Sequence, residues 1–142
     1  MIMSGGIIPE GIWVLDAARS RILVPAANII LWIVRDDGEQ LVWVVVETSK
    51  AGEISIKSFD GRYGGEPAVV HGSGFVASLS SPAPRTVRVD GEIPNMGPFS
   101  ETDVVSEDGR QMCVDGEVQT EEGVKSWHEE FNWRGPVDGG RS

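Results

Sequence analysis

Gly11-Ile12-Trp13-Val14-Leu15 is the first β-rich run of the chain, and Trp133-Arg134 ends the last one before Gly135-Pro136 breaks it. A Gly-x-Trp at the head of an all-β chain and an aromatic-Arg at its tail are what a closed barrel requires. The first strand has to meet the last, and a Trp packed under a guanidinium plugs the closed end. Gly11, Trp13, Trp133 and Arg134 are therefore read as closure residues, and a barrel so closed encloses a cavity in which function resides.

Outward from that pair the pattern is one of hairpins. Two dense apolar runs, Asn28 to Arg35 and Leu41 to Glu47, flank Asp36-Asp37-Gly38-Glu39. An Asp-Gly between β-rich runs is a strong hairpin signal. Both faces of the first run are apolar, which a strand wet on one side would not show. Its outer face is expected to pack either on the N-terminal arm or on a second subunit, and in the second case residues 28–47 are a homodimer surface. Glu53 to Phe59 alternates Ile54 and Ile56 with Ser55 and Lys57. Residues 60–67 form a Gly-rich connection expected at the barrel rim, and Ala68-Val69-Val70 leads to His71. Further strands are expected over 74–79, 86–92, 99–106, 112–119 and 124–133, each bounded by Pro, Gly or Asp-Gly turns. Ala17 to Ser20 is expected to make one helical turn with Asp16 as its N-cap, and Pro25 forbids a longer one. The sum is about eight to ten short antiparallel strands without a helix of ordinary length, the signature of an all-β, up-and-down barrel. Residues 1–10 are expected to be a flexible arm, 11–134 the barrel domain, and 135–142 a disordered tail.

The chain has 142 residues, enough for one domain, with a net charge of -10. That balance argues against nucleic acid and anionic membranes as partners. A single cysteine, Cys113, forms no internal disulfide. No signal peptide or membrane-length apolar run is visible, so a cytoplasmic location is expected. The sequence shows no metal-ligand spacing, P-loop, dinucleotide fingerprint or nucleophile elbow. Neither a metal nor a cofactor is expected.

Residues 11–21, Gly-Ile-Trp-Val-Leu-Asp-Ala-Ala-Arg-Ser-Arg, resemble the Gly-x-Trp-x-Leu-(Asn/Asp)-x-Ala-(Lys/Arg)-Ser-(Lys/Arg) opening of the lipocalin-like, calycin-type small β-barrels of bacteria. Phe59-Asp60-Gly61-Arg62 resembles the mid-chain aromatic-Asp-Gly-basic turn of that family. Val105-Ser106-Glu107-Asp108-Gly109-Arg110 resembles its Val-Ser-x-Asp-Gly-(Lys/Arg) hairpin, and Trp133-Arg134 its closing pair. The late Thr-Asp-Tyr element of true lipocalins is only partly matched by Thr102-Asp103-Val104, and their C-terminal helix is absent. The resemblance implies a barrel with a cavity for small, mostly apolar molecules. It does not choose between carrier, isomerase, lyase and cyclase.

Alternation in the last strand puts Trp127, Glu129, Phe131 and Trp133 on one face, expected to point inward. Burial among those rings would raise the pKa of Glu129 into a useful acid/base range; at an open mouth it would instead be solvated or paired with Arg. Glu47, on one face with Trp43 and Val45, is a second candidate acid or a rim residue. Tyr63 either donates into the cavity or caps its loop. Trp32, Trp43, Trp127 and Phe131 are candidate ligand-binding residues, with His71 beside them; for the tryptophans, core packing is the competing reading. An interaction module, with a filled barrel and the apolar hairpin 28–47 as its dimer surface, is one open reading, and two functions of the interior stay open beside it. One is the binding of a small hydrophobic molecule, for example a polyene or an aromatic. The other is cofactor-free cyclase, isomerase or lyase chemistry on such a molecule, by shape and one acid or base.

Overall fold

The computed structural model describes residues 6–22 and 27–137. What was expected of residues 1–5, Pro25 and residues 138–142 lies outside the described residues, as does the side chain of Ile29.

Among the described residues ten strands follow one another: β1 Gly11–Leu15, β2 Ala27–Asp36, β3 Gln40–Ser49, β4 Ile54–Arg62, β5 Ala68–Val69, β6 Val76–Ser80, β7 Thr86–Ile93, β8 Gly97–Val105, β9 Gln111–Thr120 and β10 Gly123–Gly135. Every ladder between them is antiparallel. Their order in the sheet is β4-β3-β2-β1-β10-β9-β8-β7-β6-β5. This is an all-β, up-and-down barrel, nearly closed, with one 3-10 turn at Ala17–Arg19. Asp16 precedes that turn without capping it through its side chain. Instead Ser20 Oγ donates to the Asp16 carbonyl at 2.7 Å.

First and last strands meet in the middle of the sheet. Trp13 stands opposite Trp133, and Gly11 has φ +140°. A Cβ on Gly11 would strike the Gly135 carbonyl, so glycine is required where the two strands cross. The guanidinium over Trp133 is that of Arg110, at 6.0 Å from the ring centroid. Arg134 is exposed. It follows an inward-facing residue on β10, so alternation turns it to solvent.

The seam of the barrel lies elsewhere, between β4 and the β5–β6 hairpin. Ser58 and His71 exchange two backbone hydrogen bonds there, and Gly64 N–H donates to the Leu79 carbonyl at 2.9 Å.

Inward residues form one core, including Trp13, Trp32, Val34, Leu41, Phe59 and Phe131. One end is shut by residues 6–10. Ile8 is buried at 1% exposure, and the Ile7 and Ile8 amides donate to Asp36 Oδ2 at 3.0 and 2.9 Å. Trp13 Nε1 and Trp133 Nε1 donate to the carbonyls of Pro9 and Glu10. Over these residues the arm read from sequence as loose is pinned to the barrel.

Candidate functional site

The inner wall is aromatic because alternation along four strands delivers one ring after another to it. Trp32 of β2 stacks on Trp43 of β3, with centroids 5.8 Å apart and planes 16° from parallel. Phe131 of β10 lies 4.8 Å from Trp32, and Phe59 of β4 lies 5.3 Å from Trp43. A second group, Phe75, Phe99 and Trp127, leads toward the other end. There a cavity of about 860 Å³ opens between the β7–β8 and β9–β10 turns, lined by Phe75, Ile93, Met96 and Lys125 among others.

Glu101, Asp103 and Glu129 stand on this wall, and Glu47 of β3 and Asp36 of β2 also lie on inward faces. On β8 the inward residues are Phe99, Glu101, Asp103 and Val105; on β10 they are Trp127, Glu129 and Phe131. Trp127 Nε1 donates to Glu101 Oε1 at 3.1 Å. Gly116 makes this bond available. It sits between the two residues in the ladder, and a Cβ there would occupy the space of the Trp127 indole. Asp103 is 1% exposed. Burial, and then the neighbouring Glu101, pushes its carboxyl well above the usual range. Burial also pushes Glu101 up, against the hydrogen bonds from Asp103 and Trp127. Glu129 is raised to about 8, first by burial and then by the charges of Glu101 and Glu47.

The remaining candidates are distributed as follows. Glu47 is a partly open residue paired with Lys57 Nζ at 3.0 Å. Tyr63 does not point at the aromatic array. Its hydroxyl donates to Asp36 Oδ2 at 2.8 Å, and burial, ahead of that bond, holds the phenol well above its usual range. The connection that carries Tyr63 thus lies at the closed end rather than at the open rim, and β4 runs on through Asp60-Gly61 to Arg62. His71 is exposed, because its backbone bridges the seam just before the Gly72 turn. The other histidine, His128, is on the outer face of β10 between Asp115 at 2.6 Å and Glu130 at 2.9 Å, and their hydrogen bonds raise its pKa.

The structure therefore brings Trp32, Trp43, Phe131, Trp127 and Glu129 onto one inner wall and leaves Tyr63 and His71 off it. Sequence reading missed Glu101, Asp103 and Asp36. The alternation Phe99-Glu101-Asp103-Val105 was the available signal for the first two.

No family model matches the sequence, and no curated protein is significantly similar to it. Among solved structures, the chain is similar to zebrafish ileal bile acid-binding protein complexed with cholic acid, with a TM-score of 0.57 and 10% identity. The match covers 88% of this chain and 98% of that one. The ten-stranded antiparallel sheet, its β1–β10 junction and this likeness together give the chain a calycin-type β-barrel fold.

Proposed function

We propose that the protein is a carrier that takes a small hydrophobic molecule, aromatic or polyene, into the barrel interior through the open end. The observation that supports this best is the open-end cavity of about 860 Å³ bordered by Phe75, Ile93 and Met96, from which Phe99 and Trp127 lead inward toward the packed rings of Trp32, Trp43 and Phe131. A pocket of aromatic faces with a few polar groups is the usual makeup of a small-molecule site. The solved barrel to which the chain is similar carries cholic acid, a small molecule, which agrees with that use of the fold. The proposed setting is the cytoplasm. Among the described residues no helix is long and apolar enough to cross a membrane.

The test is a titration with the neutral fluorescent probe N-phenylnaphthylamine. Saturable binding that dims the tryptophans, weakened about fivefold or more by Trp127→Ala through lost aromatic surface, supports the reading. An unquenched, unsaturable response contradicts it.

Glu129 supports a second reading. An acid with a pKa of about 8 is largely protonated at neutral pH and can donate to a bound polyene, as a cofactor-free isomerase or cyclase requires. On that reading Glu129→Gln abolishes turnover and keeps affinity; unchanged turnover removes it.

We also propose a homodimer through residues 28–47. Outward Leu31, Ile33, Val44 and Val46 continue across the ladder to Ile56, which is 58% exposed, beside Ile54 at 67%. An apolar face of this kind is the usual mark of an interface. Ile56→Lys is then expected to convert dimer to monomer in sedimentation, and a wild-type monomer contradicts the proposal.

A further inference from the structure

The cavity of about 860 Å³ at the open end has an apolar side, formed by Phe75, Ile93 and Met96, and a charged border that is unbalanced. Glu92 of β7 and Glu121 and Glu122 of the β9–β10 turn line it, all three exposed. Among the described residues the lining holds a single cation, Lys125 of β10. That cation is already paired, with its Nζ 3.6 Å from Glu122 Oε1.

Nothing further in reverses that sign. Along the inner face of β8, Gly97 at the cavity is followed by Phe99 and Glu101; along that of β10, Lys125 is followed by Trp127 and Glu129. The inward cation of β4, Lys57, is held by Glu47 at 3.0 Å. Donors near the cavity are spent as well. Trp127 Nε1 donates to Glu101 Oε1 at 3.1 Å, and Thr120 Oγ1 donates to the Gly123 carbonyl at 2.7 Å. The amides of Glu122 and Met96 donate to Thr120 Oγ1 and to the Ile93 carbonyl. Asn95, which also lines the cavity, offers a side-chain amide that donates and accepts without charge.

We propose that the open-end cavity selects uncharged apolar molecules and turns away anionic amphiphiles, and that Glu92, Glu121 and Glu122 set this selectivity. The apolar body lies against Phe75, Ile93 and Met96, and a hydroxyl or carbonyl head group is served by Asn95. This rests on the carrier reading and gives the class of molecule carried.

An anion that enters loses hydration and finds Lys125 taken, so its charge goes uncompensated. It also works against the border. A single exposed carboxylate acts weakly through water, but several on one rim add, and the net charge of -10 repels in the same sense. An uncharged molecule meets neither cost and gains the full apolar contact.

The experiment titrates the full chain with N-phenylnaphthylamine and with 8-anilinonaphthalene-1-sulfonate, which adds a sulfonate to the same skeleton. A sulfonate is the better hydrated probe in any setting, so the deciding readout is the change between variants. The combined variant Glu92→Gln, Glu121→Gln, Glu122→Gln is expected to bind the sulfonate at least about fivefold more tightly and the neutral probe within about twofold of wild type. A control removes as many exposed charges from the turns of the closed end, by Glu39→Gln, Glu66→Gln and Glu107→Gln. It is expected to change sulfonate binding less than about twofold, because charges beyond a screening length act little. Near-ultraviolet circular dichroism shows both variants folded. Equal gains in the two variants, no gain in the first, or a wild-type chain that prefers the sulfonate overturns the proposal, while N-phenylnaphthylamine binding keeps the carrier reading. Failure of that probe to bind overturns both.

Discussion

Asp36 and Glu129 show how differently single acids are used in one barrel. Asp36 ends β2 on its inner face, where Oδ2 accepts from Ile7, Ile8 and Tyr63 and Oδ1 from Gly38. It fastens the cover of the closed end. Asp36→Ala strands those donors and is expected to cost about 3 kcal/mol or more in urea unfolding. Trp13→Ala, at a fully buried site, is expected to cost about 3–5 kcal/mol in the same measurement. Glu129 has the opposite character, since its folded pKa is raised to about 8. The unfolded chain loses that proton near the ordinary carboxylate pKa and the folded chain keeps it. Stability is therefore lost as pH climbs from about 5 to about 8, at up to about 1.4 kcal/mol per pH unit from this one group. Glu101, Asp103 and His128 act in the same direction. Glu129→Gln should flatten the slope of unfolding free energy against pH, and an unchanged slope would show that Glu129 titrates normally. The face of Glu129 could be read in sequence because rings mark it on both sides. Asp36 could not, because it adjoins the turn residues Asp37-Gly38 and looks like one of them.

At the scale of elements, strands and turns were legible because Asp-Gly and Pro-Gly punctuation recurs between β-rich runs. Faces were less so. On β8 the inner face holds Glu101 and Asp103 while the outer face holds Val104, 43% exposed, so polarity does not reveal which way the strand faces. On β4 the same reversal turns Lys57 inward and Ile54 and Ile56 outward. Gly116 on β9 shows what a strand contributes to the site by leaving space. Gly116→Ala is expected to push the Trp127 indole off Glu101 and to cost about 1–3 kcal/mol, seen as a shift of that indole N–H resonance. The seam between β4 and β5 is the weakest joint. Its amides are expected to exchange hydrogen at least about a hundredfold faster than those of the long β9–β10 ladder. Equal protection would mean that the barrel is continuously bonded there.

The molecule as a whole is a barrel with two unlike ends. Residues 6–10, Asp36 and Tyr63 close one; Phe75, Ile93, Met96 and Lys125 border a cavity at the other. The closing junction was legible in sequence as the pair Gly11-Ile12-Trp13 and Trp133-Arg134, because a strand pairing between chain ends needs partners at both ends. The Arg that covers Trp133 was not, since Arg110 reaches it from a neighbouring turn. The placement of the ligand is open to one direct observation, the indole N–H resonances of the five tryptophans. On addition of N-phenylnaphthylamine, the signals of Trp32, Trp43 and Trp127 are expected to shift. Those of Trp13 and Trp133, bonded to Pro9 and Glu10 at the closed end, are expected to stay in place. Shifts confined to Trp13 and Trp133, or none at saturating probe, would contradict binding within the barrel.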